Sequence, residues 1–95
     1  MDIEIKEKQH TGKVFVGSEN EAKAEMTFKR DDENLITVKH TMVLDELKGE
    51  GMGRKLLDKL AQKARNENFK IKAECSYVQH VFDKYDDYDD VQVKS

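Results

Sequence analysis

Three glycines lie within the segment Lys48-Gly49-Glu50-Gly51-Met52-Gly53, between a stretch of alternating aliphatic residues and an amphipathic one. Glycines spaced this way let backbone amides approach a ligand closely and take conformations that other residues resist. A helix starting there adds unpaired N–H donors and a partial positive charge, so the segment reads as a site for a phosphate-like anion. Arg54 and Lys55 follow at once, although cations in a first helical turn oppose the helix dipole. A bound anion would resolve that conflict. The alternative is a plain glycine connector whose neighbours Glu46 and Glu50 neutralise the cations.

The second group of reactive side chains surrounds Cys75. Cys75 precedes Ser76-Tyr77-Val78-Gln79, a capping-box pattern. A cysteine at a helix amino terminus is favoured as the thiolate, the form that attacks a carbonyl carbon. It also lies on the apolar face of its segment, where cysteine is commonly a small core residue. Two readings hold for His40 as well: an imidazole suited to accept a proton, or a core histidine bonded to a backbone carbonyl. If their strands are neighbours, His40 and Cys75 come within reach of each other.

The elements that position these residues follow from periodicity. Ile3 to Val16 predicts a hairpin with its turn near Gly12, and Ala22 to Phe28 alternates as a half-buried strand. A turn over Arg30 to Asn34 leads to a strand over Leu35–Leu44, in which Ile36, Val38, His40, Met42 and Leu44 share one face. Met52, Leu56, Leu60 and Ala64 recur at helical spacing, and Phe69 to Cys75 alternates as another strand. A second helix follows Cys75, carrying Val78, Val81, Phe82 and Tyr85, and the tail from Asp86 to Ser95 is expected to be loosely held or an added edge strand. The strand-helix-strand unit around the glycine turn predicts parallel pairing, with a ligand site beyond the carboxyl ends of its strands.

At 95 residues the chain predicts one domain, over residues 1–95. Charged residues make up 39% of it, yet the net charge is only −3 and no basic stripe appears along the sequence, which argues against nucleic-acid binding. The first residues predict neither a signal segment nor a membrane span, so a cytoplasmic location is expected and no membrane partner. Cys75 is the only cysteine, so neither an internal disulfide nor a zinc site is expected. The acidic run Asp83, Asp86, Asp87, Asp89 and Asp90, with Tyr85 and Tyr88 between, suits either a cationic acceptor or a solvated end, and its spacing is not that of a calcium loop. No metal site is predicted.

Two nucleotide motifs fail on these residues. No Gly-Lys-Ser or Gly-Lys-Thr follows the turn, and the glycine spacing is not that of a dinucleotide fold, which a chain this short cannot supply. The segment Lys48 to Gly53 resembles the signature of the GNAT acyltransferase superfamily: glutamine or arginine, two variable residues, Gly, any residue, Gly or Ala. Lys48 stands in the first place. His40-Thr41, the glycine turn and Cys75-Ser76-Tyr77-Val78 resemble a subfamily of very short GNAT-like proteins, over roughly the second half of the chain.

The resemblance implies an α+β GNAT-like fold, with a mostly antiparallel sheet, one parallel βαβ pair and two helices. It implies acetyl-CoA as co-substrate, its pyrophosphate held by Lys48, Gly49, Glu50, Gly51, Met52, Gly53 and Arg54. The pantetheine would run along Met42, Val43 and Leu44. It implies acetyl transfer to an amine acceptor, with an acyl-Cys75 intermediate as one route; His40 and Tyr77 are the other catalytic candidates. Many relatives use a tyrosine in the last helix to protonate the leaving thiolate; Phe82 and Asp83 stand nearest that place, leaving Tyr77 and Tyr85 as the phenols on hand. The rival expectation is a non-catalytic acyl-CoA binding or sensing module. The acceptor and the oligomeric state are not specified by any residue.

Overall fold

A computed structural model describes residues 2–93. Strands β1 (Ile3–Lys8), β2 (Thr11–Gly17), β3 (Ala22–Asp32) and β4 (Leu35–Val43) form an antiparallel meander. Helix α1 (Met52–Glu67) crosses to β5 (Lys70–Ala73), which lies parallel to β4, and α2 (Ser76–Lys84) follows. The sheet order is the chain order, so the expected α+β architecture with one parallel pair and two helices is what forms.

One face of the sheet carries the core. Val14, Val16, Ala24, Met26, Phe28, Ile36 and Val38 meet the α1 stripe of Leu56, Leu57, Leu60, Ala61 and Ala64. Asn68 closes α1 in the left-handed region at φ 60°, its N–H on the Ala64 carbonyl. No helix among the described residues is long and apolar enough to cross a membrane.

Three local features differ from the sequence reading. The hairpin turns at Gln9-His10, with Gln9 at φ 56°, rather than near Gly12. Gly12 lies within β2 directly opposite Phe28, where a Cβ would sit within 3.0 Å of three ring carbons, so it is a packing glycine. The capping box does not form: Cys75 is the N-cap, no side chain caps α2, and Gln79 instead donates to the Ala73 carbonyl at 3.0 Å. Of the two expectations for the tail, the added edge is what forms, and the segment is packed. Tyr88 and Val91 are buried, and Ile71 N–H donates to Val91 O at 2.7 Å while Val93 N–H donates to Ile71 O at 2.9 Å, covering the outer edge of β5. Lys94 and Ser95 of the expected tail lie outside the described residues.

The third difference matters most for the site. Thr27 pairs with His40 while the next residue, Phe28, pairs with Val38, so Lys39 is the extra residue of a β-bulge. A one-residue slip exchanges the faces of everything beyond it. Ile36 and Val38 face the core before the bulge, Thr41 and Val43 take that side after it, and His40 and Met42 are exposed on the opposite face. The single face expected for Ile36, Val38, His40, Met42 and Leu44 is therefore split.

Candidate active site

The glycine turn enters α1 through two residues in the left-handed region, Gly49 at φ 88° and Gly51 at φ 67°. A Cβ at either would meet nothing within 4 Å, so conformation and not space requires glycine there. Gly51 is the N-cap, no side chain caps the helix, and its first turn contains no acid. The first amides of α1 are thus left without a partner inside the helix. Lys48 pairs with Asp45 at 2.9 Å on the surface.

The Arg54 side chain, read from its place in the first turn as facing an anion, has partners within the protein. Its Nε donates to the Tyr88 hydroxyl at 3.0 Å, an Nη donates to Asp87 at 3.3 Å, and the guanidinium stacks on the Tyr85 ring at 4.0 Å. Tyr88 in turn donates to Asp58. Burial, then that bond to Asp58, push the Tyr88 phenol up to about 12, so it stays a donor at neutral pH. Neither Arg54's stack nor this chain of bonds was foreseen.

Beside the turn, β4 and β5 separate. Their pairing ends at Val38 and Ala73, whereas β4 remains paired with β3 as far as Val43. The N–H groups of Glu74 and Cys75 both bond the Val38 carbonyl, at 3.0 and 3.1 Å, and there the chain leaves the sheet. Leu44 N–H bonds Lys23 O on the β3 side at 2.9 Å. Backbone groups alternate sides along a strand, so those of Val43 point to the side β5 has vacated. An unpaired strand edge of this kind accepts an extended, amide-bearing ligand.

Cys75 stands where the strands part, 9% exposed, with its Sγ 3.3 Å from the Thr41 hydroxyl. Thr41, which the sequence reading named only with His40 in the family resemblance, holds the position beside sulfur that was considered for His40. The bulge at Lys39 is the cause. Tyr77 reaches the glycine turn: a Cβ on Gly53 would lie 2.7 to 2.8 Å from its Cζ, Cε2 and hydroxyl oxygen. Burial raises the Tyr77 phenol above the ordinary tyrosine value, against the opposing pull of Arg54, so it is protonated at neutral pH. Gly53→Ala is expected to push this ring off the turn. The check is loss of nuclear Overhauser contacts between the Tyr77 ring and residue 53, with stability changed by less than about 1 kcal/mol because alanine's helix propensity offsets the lost packing. Among the described residues no group of three His, Cys, Asp or Glu side chains could hold a metal ion.

A family model described as GCN5-related N-acetyl-transferase matches residues 13–91. The chain belongs to this family, the GNAT acetyltransferases. A GCN5-like protein from Staphylococcus aureus, solved by NMR, is similar at 43% identity with a TM-score of 0.76, over 97% of this chain and 89% of that one. Two longer proteins share the fold alone. A ribosomal-protein-alanine N-acetyltransferase from Brucella melitensis biovar Abortus 2308 has 18% identity and a TM-score of 0.62, over 93% of this chain and 65% of its own. A GNAT family acetyltransferase from Elizabethkingia anophelis, solved with acetyl-CoA bound, has 21% identity and a TM-score of 0.60, over 80% of this chain and 53% of its own. No curated protein sequence matches the chain.

Proposed function

We propose that this chain transfers an acetyl group from acetyl-CoA to an amine by way of an acetyl thioester on Cys75. The observation that carries the reading is the alignment of three features: the uncapped glycine turn, the vacated edge of β4, and a thiol where the strands part. The pyrophosphate sits on the amides from Gly49 to Arg54 with Lys48 beside it, and the pantetheine pairs with the edge at Met42–Leu44. That brings the thioester carbonyl to Cys75.

The Cys75 thiolate attacks the carbonyl carbon, and the bond to the coenzyme sulfur breaks with its electron pair. Tyr77 protonates the departing thiolate. The amine nitrogen then attacks the acetyl-cysteine carbonyl, the carbon–sulfur bond breaks, and the Cys75 thiolate is regenerated. The amine enters the gap between β4 and β5 from the outer face, where His40 accepts its proton, and water carries a proton from His40 to Tyr77.

The test is a titration of the isotope-labelled full chain with acetyl-CoA and with desulfo-CoA, followed by amide shifts. Both should move residues 42–44 and 49–54, and only acetyl-CoA should add an acetyl mass. Shifts without adduct or turnover would identify an acyl-CoA sensor. No shifts with either compound would end the coenzyme A reading.

A further inference from the structure

The sheet face opposite the helices is open, and its register gathers charge that the linear sequence disperses. Lys6 is directly opposite Lys13, Lys13 opposite Thr27, and Thr27 opposite His40, so one straight row crosses four strands. The next row on the same face runs Lys8, Thr11, Lys29. These side chains line a groove of about 970 Å³ that reaches Lys39 and Glu74 at its far end. Five lysines there face three glutamates, on a chain whose net charge is −3.

The glutamates are already engaged. Glu7 is bound by Arg30, whose hydrogen bond holds its carboxyl below the ordinary range. Glu74 is held by Lys39 at 3.0 Å, and Glu19 lies 3.7 Å from Lys6 while its carbonyl accepts from Lys13 at 2.6 Å. Among the described residues Lys8 and Lys29 have no ion-pair partner. Like charges directly opposite across a strand pair, as Lys6 and Lys13 are, cost stability unless an anion lies between them. Glu19 supplies one carboxylate at that end; the rest of the groove has none to spare.

Resting on the proposed acetyl transfer, we infer that this groove docks the acceptor, and that the acceptor is an acidic peptide segment presenting its amine at the His40 end. Strands about 4.8 Å apart make the row from β1 to β4 roughly 14 Å long, the span of about four extended residues. A small amine would use only one end of it. The groove ends at Glu74, where β4 and β5 part, so an amine at this end enters the gap between the strands from the face opposite the Cys75 thiol, and His40 closes the row on the groove side. The acidic run near the carboxyl terminus does not compete for this role, since Asp87 and Asp90 are paired with Arg54 and Arg65 of α1.

The experiment uses the full chain and three peptides carrying one lysine each, with flanking residues all aspartate, all asparagine or all arginine. Amide shifts and acetylation rates are read at two salt concentrations. The aspartate peptide should perturb residues of β1, β2 and β3 on the groove face, be acetylated with a KM at least about tenfold lower than the asparagine peptide, and lose that advantage in high salt. Lys8→Glu with Lys29→Glu should remove the advantage while leaving the acetyl-CoA shifts and the Cys75 adduct intact. Equal use of all three peptides, or a preference for arginine, overturns the inference. A single-stranded oligonucleotide that displaces the aspartate peptide at lower concentration also overturns it. Loss of the acetyl-CoA shifts themselves would instead count against the transferase reading, so the two failures are distinct.

Discussion

Cys75→Ala is expected to abolish the acetyl adduct and to lower turnover at least about a thousandfold, the scale on which a nucleophile's loss is felt, with acetyl-CoA affinity changed by less than about twofold. Affinity should survive because the amides of the glycine turn and the β4 edge are remote from sulfur in the chain and keep their own geometry. Cys75→Ser separates chemistry from packing. A serine hydroxyl keeps a partner for Thr41 and nearly the same volume, but attacks a thioester poorly. Both variants should therefore bind acetyl-CoA, and neither should turn over. If Cys75→Ala retains turnover and His40→Ala loses it, the amine attacks acetyl-CoA directly, and Cys75 is only a core residue at the mouth of the site.

The sequence carried some parts of this site plainly. The turn is punctuated by glycines, and two of the three adopt the left-handed backbone that makes glycine necessary. The four-residue recurrence of α1 was readable because a helix this amphipathic has one way to bury its stripe. What sequence reading missed has physical reasons. A bulge leaves no mark on a run of alternating aliphatics, so the reversal of faces at Lys39 was invisible, and with it the substitution of Thr41 for His40 beside sulfur. The basic groove was invisible too, because each strand supplies only one or two lysines and register alone assembles them. The tethering of Arg54 required knowing that Tyr88 returns to α1 across 34 residues of chain.

That return sets up the largest effect on stability. Tyr88→Ala is expected to destabilise the fold by about 3 to 5 kcal/mol, the range for removing a buried aromatic ring, out of the roughly 5 to 15 kcal/mol a domain commonly has. Tyr88 is 1% exposed, its ring meets Phe82 at 5.6 Å between centroids, and its hydroxyl joins Asp58 to Arg54. Removal opens a cavity beneath the carboxyl-terminal segment and leaves the exposed Asp58 carboxylate to water. Tyr88→Phe keeps the ring and loses only the bridge between groups that water can reach, for about 0.5 to 1.5 kcal/mol. Urea unfolding should order the three proteins wild type, Tyr88→Phe, Tyr88→Ala. A Tyr88→Ala midpoint close to wild type would mean that the tail is not part of the core. Because Arg54 lies in the first turn of α1, the same substitution removes one of its anchors and leaves Asp87 and the Tyr85 ring, so at equal concentrations acetyl-CoA should recover more stability in Tyr88→Phe than in wild type if the loosened guanidinium turns to the pyrophosphate.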